Sequence, residues 1–324
     1  LRLGLRRFAG ANRPDVIVGS VPGLPTLPAA LALGRGLRRP VVVELRDAWP
    51  DILASAADWG SSPDRAGSRW SRVRRAALSG VRGAIPPVVT RLEREAAAIV
   101  TTTDSFARVL RGRGMGRVVT VRNTAVPRDW ALPAVPREQP DEALHVLYLG
   151  TVGRAQGLRS AVRAAALARA QGTRMVLRIV GEGADLAPTR CEAEELGAPV
   201  EILPMVPADR VAAHYAWADS VLVSLQDWPS MELTVPSKLY EVMATGRHVS
   251  VAAAGAAGRI VKASRSGDVV PPQDPAALAR LWQELAADRD RLVVTGGGPW
   301  LEAHASCSAL LDRYEAVLER TAHA

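Results

Sequence analysis

The chain has 324 residues, of which 48% are apolar and 23% are charged, and its formal net charge is +8. This length accommodates two domains of ordinary size, and the composition is globular rather than disordered. The two cysteines, Cys191 and Cys307, lie far apart and no CxxC pair occurs. A disulfide framework or a zinc site is therefore not expected, and a reducing compartment fits.

Positive charge is concentrated in the first part of the chain. Residues 1–140 hold 23 arginines and no lysine against 11 acidic residues, whereas the remainder holds 18 basic and 22 acidic residues. No acidic residue lies between Arg65 and Leu92, and the arginine run from Arg65 to Arg91 is the strongest in the chain. Such a run is either a solvated helix face or a surface that faces anionic lipid. Nucleic acid is disfavoured, because few aromatic residues interleave and no helix-turn-helix or finger spacing is present.

Short apolar strands alternate with amphipathic helices in the first half. The predicted strands are Asp15–Val18, Val41–Glu44, Ile99–Thr102 and Val118–Arg122. Leu1–Ala9 is predicted to be the end of a helix, and Leu27–Leu37 is a second helix. A third helical stretch of about 25 residues ends near Ala98, and a fourth helix is Asp104–Arg113, with Asp104 or Ser105 as its cap. Because the chain starts at Leu1 inside a helical pattern, we expect that an N-terminal piece is missing from this sequence. The stretch from Ile17 to Gly34 contains three prolines, so it is a poor transmembrane helix.

Residues 123–140 lose this periodicity and contain four prolines, which predicts a linker. The alternation then restarts. The predicted strands are Val146–Leu149, Met175–Val180, Val200–Leu203, Ser220–Ser224, His248–Ala252 and Asp268–Val270. The predicted helices are Leu158–Ala170, Asp185–Leu196, Ala208–Ala216, Ser237–Ala244, Pro275–Ala287 and, after a glycine run at Gly296–Gly298, Ser308–Arg320. The sequence thus predicts two doubly wound α/β domains, residues 1–140 including the linker and residues 141–324 including the terminal helix.

Two glycine-containing turns follow predicted strands of the second half. The first contains Gly150, Gly153 and Arg154 and leads into a helix, whose N-terminus favours an anion. The arginine adds a charge and a fork that suits phosphate. The second turn contains Gly181 and Gly183, again at the carboxyl end of a strand. A structural turn is the alternative interpretation of both.

One of the two lysines in the chain lies in the segment Pro236–Gly246, which belongs to a predicted strand–loop–helix unit. A compact ammonium group differs from a planar guanidinium, so an arginine-rich chain that keeps Lys238 indicates a specific need for it. Glu241 follows three residues later on the same predicted helix. Together they could hold a nucleotide diphosphate and its ribose. The alternative for Glu241 is an ordinary carboxylate on a helix surface.

Other patterns in the sequence do not indicate a metal site or a catalytic nucleophile. Asp288-Arg289-Asp290 has the form of a metal-binding DxD, but it lies in a charged segment after a helix and is interpreted as a solvated turn. The five histidines show no metal-ligand spacing, and no nucleophile elbow is present. The sequence therefore gives no metal-ligating residues.

The combination of motifs resembles the retaining GT-B glycosyltransferases of family 4, also called group 1, and within it the branch of bacterial O-antigen and capsule biosynthesis. The segment from Pro236 to Arg247 is similar to the donor-binding signature of that family, and Gly150–Gly157 to its phosphate loop. Val180–Gly183 is similar to the following loop, and Glu44–Pro50 to a first-domain motif. The similarity extends over essentially the whole chain.

This resemblance implies two Rossmann-like domains that face a cleft, with an incomplete acceptor-side domain at 1–140 and a nucleotide-sugar-binding domain at 141–324. Arg154 and Lys238 would hold the diphosphate and Glu241 the ribose. Gly150 and Gly153 would let the backbone approach the donor, with Gly181 and Gly183 in the adjacent loop. Arg46 and Asp47 would position the transferred sugar or the acceptor.

The implied activity is that of a hexosyl- or N-acetylhexosaminyltransferase with a UDP-linked donor. The acceptor would be a saccharide or a polyprenyl-diphosphate-linked saccharide, so the enzyme would be cytoplasmic and peripheral at the inner face of the membrane. No metal and no cofactor are implied, because cationic side chains face the phosphates.

The sequence departs from the family at several positions. Many members carry a glutamate eight positions before the one at Glu241, where this chain has Leu233. Many also carry arginine and lysine where this chain has Thr151 and Gln156. The first strand–glycine-loop–helix unit of the family is not found before Asp15. The missing unit and Leu233 leave open a non-catalytic nucleotide-sugar-binding or scaffold protein. A third possibility is a nucleotide-sugar hydrolase or epimerase, for which Asp47 is the candidate residue near the sugar.

Overall fold

A computed structural model describes residues 8, 13–21, 25–48, 50–52, 85–125, 132 and 143–323. The chain divides into two compact units. The first comprises Leu1–Arg122 together with Ser308–Ala324, and the second comprises Asn123–Cys307. Each unit is an α/β structure around a parallel sheet, as the sequence predicts. Most of the arginine run between Arg65 and Arg91, and the predicted helix at Leu1–Ala9, lie outside the described residues.

The first unit is built on four described strands. They are β1 (Ile17–Val21), β2 (Val41–Leu45), β3 (Ala98–Thr101) and β4 (Val118–Thr120), which lie side by side in that order and run parallel. The central strands are apolar and almost completely buried, since Val42, Val43 and Leu45 have no exposed surface. Such continuous burial is typical of a parallel sheet that is covered on both faces.

Helices connect the strands of the first unit. The first, α1 (Thr26–Leu37), joins β1 to β2, residues 85–93 are helical, and α2 (Asp104–Gly112) joins β3 to β4. The cap of α2 differs from both predicted residues: the side chain of Thr103 accepts a hydrogen bond from the backbone N–H of Phe106. Threonine is a suitable cap because its hydroxyl oxygen satisfies a free amide of the first turn.

Within residues 143–323, six parallel strands form the sheet of the second unit. They are β5 (Leu144–Leu149), β6 (Met175–Val180), β7 (Val200–Leu203), β8 (Ser220–Ser224), β9 (His248–Ala252) and β10 (Gly267–Val270). Their order across the sheet is β10-β9-β8-β5-β6-β7. The helices are α3 (Leu158–Ala170), α4 (Leu186–Glu195), α5 (Val211–Trp217), α6 (Ser237–Thr245), α7 (Gly255–Ser264), α8 (Pro275–Ala287) and α9 (Gly297–Ala305).

The core of the second unit lies between the sheet and helices α3 and α8. On α3, Leu158, Ala161, Val162 and Ala165 follow a helical spacing and are all buried. The helix α8 begins with a proline after Asp274, whose side chain caps the backbone N–H of Ala277 at 2.8 Å. The apolar face of α8 then completes the core.

The structure corrects three predictions about the second half. The helix α7 was not predicted, and the glycine run at Gly296–Gly298 starts α9 instead of preceding the last helix. The last helix, α10 (Cys307–Ala322), belongs almost entirely to the first unit and not to the second. There Val317 of α10 packs with Val42 and Val100 in an apolar cluster, which explains why the chain returns to the first sheet.

Candidate functional site

The second sheet has a topological switch point between β5 and β8. The chain proceeds from β5 to β6 and β7 on one side, and β8 is followed by β9 and β10 on the other. Strands β5 and β8 are direct neighbours through the pairs Val146 with Ser220 and Leu147 with Val221. In open parallel sheets, the helices that follow two such strands lie on opposite faces and leave a crevice at the carboxyl ends of the strands. The predicted donor-site residues follow these strands.

The two glycine turns are joined to each other by their backbones. The amide of Gly150 donates to Val180 O at 3.0 Å, and the amide of Val152 donates to Glu182 O at 2.8 Å. A Cβ atom at Gly181 would lie 1.8 Å from Gly150 O, and one at Gly183 would lie 2.3 Å from Val152 O. Both glycines are therefore needed for the close approach of one turn to the other, which fixes the shape of the first turn.

Side chains hold the turn after β5 as well. Gln156 Oε1 accepts a hydrogen bond from the Gly153 amide at 3.1 Å, and Tyr148 donates its hydroxyl to Thr151 O at 2.6 Å. A backbone contact adds to these: the backbone N–H of Gln226, which follows β8, donates to Ala155 O at 2.8 Å. Gln156 thus has a structural role at a position where, in the family that the sequence resembles, many members carry lysine. No sequence pattern marks Gln226 as part of this turn.

Arg154 lies on the short 3₁₀ turn at the tip of this segment. Its side chain is exposed, and it makes no hydrogen bond or ion pair with the residues that the structure describes. Its charge acts on the buried Asp185: burial raises the pKa of that carboxyl group, and Arg159 and Arg154 lower it. Arg154 therefore projects a cation at the carboxyl end of β5, where an anionic ligand can reach it.

The predicted pair on α6 is a direct ion pair. Lys238 Nζ lies 3.0 Å from Glu241 Oε1 and 3.2 Å from Oε2. Glu241 Oε1 also accepts a hydrogen bond from the Tyr215 hydroxyl of α5 at 2.9 Å. Buried residues on the other side of α6, among them Leu239 and Met243, keep the pair on the outer face of that helix. Sequence reasoning did not find Tyr215, since nothing in the pattern of α5 marks it.

The predicted residues of the first unit lie after β2. Arg46 Nη1 contacts Glu44 Oε1 at 3.1 Å, and the Thr102 hydroxyl donates to Arg46 O at 3.3 Å. Asp47 has exposed surface, yet desolvation of its carboxyl group raises its pKa, and the charge of Arg46 lowers it by a smaller amount. These residues share the carboxyl edge of the first sheet, which is the edge that the sequence predicts for them.

Neither a metal cluster nor a membrane span is found in the described part of the chain. Among the described residues, no group of three or more His, Cys, Asp or Glu side chains is arranged to hold a metal ion. In the same part of the chain, no helix has the length and apolar character that a membrane span requires.

Residues 143–288 match the family model "Glycosyl transferases group 1". The chain is also 23% identical over 256 residues to the "Putative colanic acid biosynthesis glycosyl transferase WcaI" of Escherichia coli K12. That alignment covers 74% of this chain, and the chain spans only 58% of the length of the relative.

Solved structures share the fold. HepE (Alr3699) of Anabaena, solved in complex with UDP and glucose, has a TM-score of 0.71 at 16% identity, over 98% of this chain and 81% of HepE. The same protein has also been solved with UDP-glucose. The sucrose-phosphate synthase of Thermosynechococcus elongatus has a TM-score of 0.67 at 18% identity, over 97% of this chain and 75% of the synthase.

The chain therefore carries a group 1 glycosyltransferase domain at residues 143–288, and its two Rossmann-like units are those of a GT-B fold. The predicted fold class is confirmed, and the predicted resemblance to group 1 glycosyltransferases is confirmed over residues 143–288. The individual site residues stay predictions.

Proposed function

We propose that this protein is a retaining glycosyltransferase that moves a hexose or N-acetylhexosamine from a UDP-linked donor to a saccharide or polyprenyl-diphosphate-linked acceptor. The proposed pathway is the biosynthesis of a bacterial cell-surface polysaccharide. The group 1 domain supports a nucleotide-sugar donor, and the name of the E. coli relative supports the pathway. The complexes of HepE with UDP and with UDP-glucose support uracil as the base of the donor.

One observation carries the proposal: a cation and a cation–carboxylate pair follow the two strands that border the switch point of the second sheet. Arg154 follows β5, and the pair of Lys238 with Glu241 lies on the helix after β8. Two cations suit a diphosphate, and a carboxylate suits the vicinal hydroxyls of a ribose. The hydrogen bond from the Tyr215 hydroxyl holds Glu241 in place, so that its carboxylate can accept hydrogen bonds from the ribose hydroxyls.

The proposed chemistry relies on positioning and on charge stabilisation. The bond between the sugar C1 and the phosphate oxygen breaks, and a bond from C1 to the acceptor oxygen forms on the same face. The acceptor hydroxyl gives its proton to the departing phosphate. Lys238 and Arg154 stabilise the negative charge on that phosphate, and Arg46 and Asp47 position the transferred sugar or the acceptor. Because these cations serve the role that a divalent ion has in other transferases, we expect no metal requirement and no cofactor.

The proposed location is the cytoplasm, with peripheral contact at the inner face of the membrane. A polyprenyl-linked acceptor is confined to a membrane, so the enzyme that uses it must reach the lipid surface. The arginines between Arg65 and Arg91 carry no neighbouring acid, which suits anionic headgroups.

Calorimetric titration of the chain with UDP, GDP and ADP tests the donor site. We expect selective binding of UDP and a loss of about tenfold or more in Lys238→Ala, because a charge-assisted contact contributes about 1.5–3 kcal/mol. Lys262→Ala is the matched control, since Lys262 is the other lysine of the chain and is exposed on α7. Equal binding of all three nucleotides by wild type and Lys238→Ala would contradict the donor site.

A transfer assay separates the enzyme from the non-catalytic alternative. The chain would be incubated with UDP-sugars and polyprenyl-linked or free saccharide acceptors, and the product's anomeric configuration would be read by NMR. We expect transfer with retention, abolished in Lys238→Ala and Glu241→Ala. Binding of UDP without transfer to any acceptor favours a scaffold protein, and release of free sugar without acceptor favours a hydrolase.

A further inference from the structure

The first unit contains a cavity of about 500 Å³ at the amino edge of its sheet. Its lining comes from the end of α1, from the start of β2 and from the segment before β3. The charged residues of the lining are Arg35, Arg38, Arg39 and Glu95. We refer to it as the Arg38 cavity. Three cations face one carboxylate there, and a concave surface with such a charge attracts anions.

The Arg38 cavity lies at the opposite end of β2 from the predicted acceptor-side residues. Val41 begins β2 and lines the cavity, whereas Arg46 follows the last residue of that strand. A strand rises about 3.3 Å per residue, so these two positions are about 16 Å apart along the strand. A small ligand in this cavity therefore does not reach Arg46 or Asp47, and the cavity is a site of its own.

Most of the positive charge in the Arg38 cavity is weakly compensated by the protein. The side chain of Arg38 is exposed and forms no hydrogen bond or ion pair with the described residues. Arg39 Nη2 lies 3.6 Å from Asp15 Oδ1, which is too far for a hydrogen bond, and the Asp15 side chain is 77% exposed. Arg35 pairs with Glu95 at the surface, where such a pair contributes little. A bound anion can therefore recruit all three guanidinium groups at small cost.

The end of α1 does not reverse the charge of the cavity. Free carbonyl groups at a helix C-terminus carry partial negative charge, which would disfavour an anion. Here the backbone N–H of Arg39 donates to Gly34 O at 2.9 Å, and Leu37 O accepts a hydrogen bond from Arg13 Nε at 2.9 Å. These carbonyl groups are thus satisfied within the protein, and the arginine side chains determine the charge that a ligand meets.

The form of the cationic groups favours phosphate among the anions. A guanidinium donates through a planar fork that matches two oxygen atoms of one ligand. A carboxylate has two oxygen atoms and occupies one fork, whereas a phosphate group has more and can bridge Arg38 and Arg39. The buried side chains of Leu31 and Val41 also line the cavity, and such apolar surroundings strengthen the attraction between opposite charges.

We infer that the Arg38 cavity is a binding site for a phosphate group, separate from the proposed donor and acceptor positions. The phosphate would belong either to a lipid headgroup or to a phosphorylated solute, since both present the same oxygen atoms. This inference does not rest on the proposed function, because none of the residues assigned to the donor or the acceptor lines the cavity.

Calorimetric titration of the full chain with inorganic diphosphate tests the site, with UDP present at saturation so that Arg154 and Lys238 are occupied. We expect submillimolar binding that weakens with salt. Arg38→Asn should weaken it about tenfold, the effect of losing one charge-assisted contact. Asparagine tolerates the left-handed backbone of Arg38, whose φ is 52°. Arg265→Asn is the matched control, because it removes the same charge at a left-handed cap with a φ of 51° in the second unit.

Vesicles separate the two sources of phosphate. The chain and both variants would be sedimented with phosphatidylglycerol vesicles and, for comparison, with phosphatidylcholine vesicles. Loss of phosphatidylglycerol binding in Arg38→Asn but not in Arg265→Asn supports the site and assigns it to a lipid headgroup. Unchanged vesicle binding, together with weakened diphosphate binding in Arg38→Asn, supports the site and assigns it to a phosphorylated solute.

Glu95→Gln should change the affinity for diphosphate in the opposite direction. It removes the carboxylate of the lining and releases Arg35, so diphosphate should bind several-fold more tightly. Damage to the fold would weaken binding instead, which makes this variant a test of the charge itself. Absence of diphosphate binding at millimolar concentration, or equal affinity in wild type, Arg38→Asn and Glu95→Gln, would overturn the inference.

Discussion

The hydroxyl group of Tyr215 lies 2.9 Å from Glu241 Oε1, so a residue of α5 fixes the carboxylate that α6 presents beside Lys238. Tyr215 is completely buried, and its ring is held by the surrounding core. Glu241 is therefore restrained from two sides, by a neutral donor that stays in place and by a cation that a phosphate can attract. In the donor site that we propose, this arrangement would prepare a hydrogen-bond acceptor for the ribose hydroxyls before the donor binds.

Replacing Tyr215 by Phe should weaken the binding of both UDP and uridine. The ring still fills its site, and the loss of one hydrogen bond to a charged acceptor contributes about 1–2 kcal/mol, or roughly five- to thirtyfold. Calorimetry on the single variants and on the double variant with Glu241→Gln checks this. The two changes should be strongly non-additive, because they remove the same interaction. Unchanged uridine affinity in Tyr215→Phe would contradict the role of Glu241 at the ribose.

Arg154→Ala should weaken UDP binding about tenfold while it leaves uridine binding unchanged. We expect the exposed guanidinium at the tip of the turn after β5 to contact phosphate oxygens and not the nucleoside. The affinity of wild type for UDP should also fall more steeply with salt than that of the variant. Arg163→Ala is the control, because Arg163 is exposed on the adjacent helix α3 and pairs with Glu192. A parallel loss of uridine binding would indicate a structural defect instead.

The fold of the second unit could be predicted closely from the sequence where strands are short, mostly apolar runs. The bounds of β6 and β7 match the prediction, since both runs end at turn-forming residues. Helix α7 was missed because its first turn is Gly255, two alanines and Gly258, which lack an apolar period. Gly255 adopts a φ of +72° and packs on the backbone of Glu232, a tertiary contact that no local pattern encodes.

The site could be predicted only in part for a similar reason. The spacing of Lys238 and Glu241 places them together on one helix, and the structure shows them paired. Tyr215 is 26 residues before Glu241 and comes within hydrogen-bonding distance of it only through the tertiary fold. Gln226 likewise reaches the turn after β5 because β8 is the neighbour of β5. Contacts set by sheet order are not contained in a short motif.

Gly183→Ala should destabilise the second unit and weaken UDP binding. An added Cβ atom would lie 2.3 Å from Val152 O, and the φ of +155° is unfavourable for alanine. Because the nearest atoms belong to the backbone, the two turns must separate, and we expect a cost of about 2–4 kcal/mol. Thermal unfolding with and without UDP measures both effects. Gly298→Ala is the matched control, since no atom lies within 4 Å of its added Cβ. Equal unfolding temperatures for the two variants would contradict this account of the joined turns.

The buried carboxyl group of Glu93 should make the stability of the first unit depend on pH. Burial raises its pKa from 4.5 to about 7, with Arg113 lowering it and Asp51 raising it. Between pH 4.5 and about 7, the folded state therefore keeps the proton on Glu93, whereas the unfolded state has lost it. Stability should consequently fall as the pH rises from about 4.5 to 7 and then level off, with a total change of about 3 kcal/mol from this group.

Glu93→Gln removes this titration and should be more stable than wild type at pH 8, with a smaller difference at pH 5. Urea unfolding of the full chain at the two pH values measures the change in the free energy of unfolding. Glu95→Gln provides the control, because its side chain is partly exposed in a surface ion pair with Arg35 and should follow the wild-type profile. If wild type and Glu93→Gln differ by the same amount at pH 5 and pH 8, Glu93 does not carry a raised pKa in the folded chain.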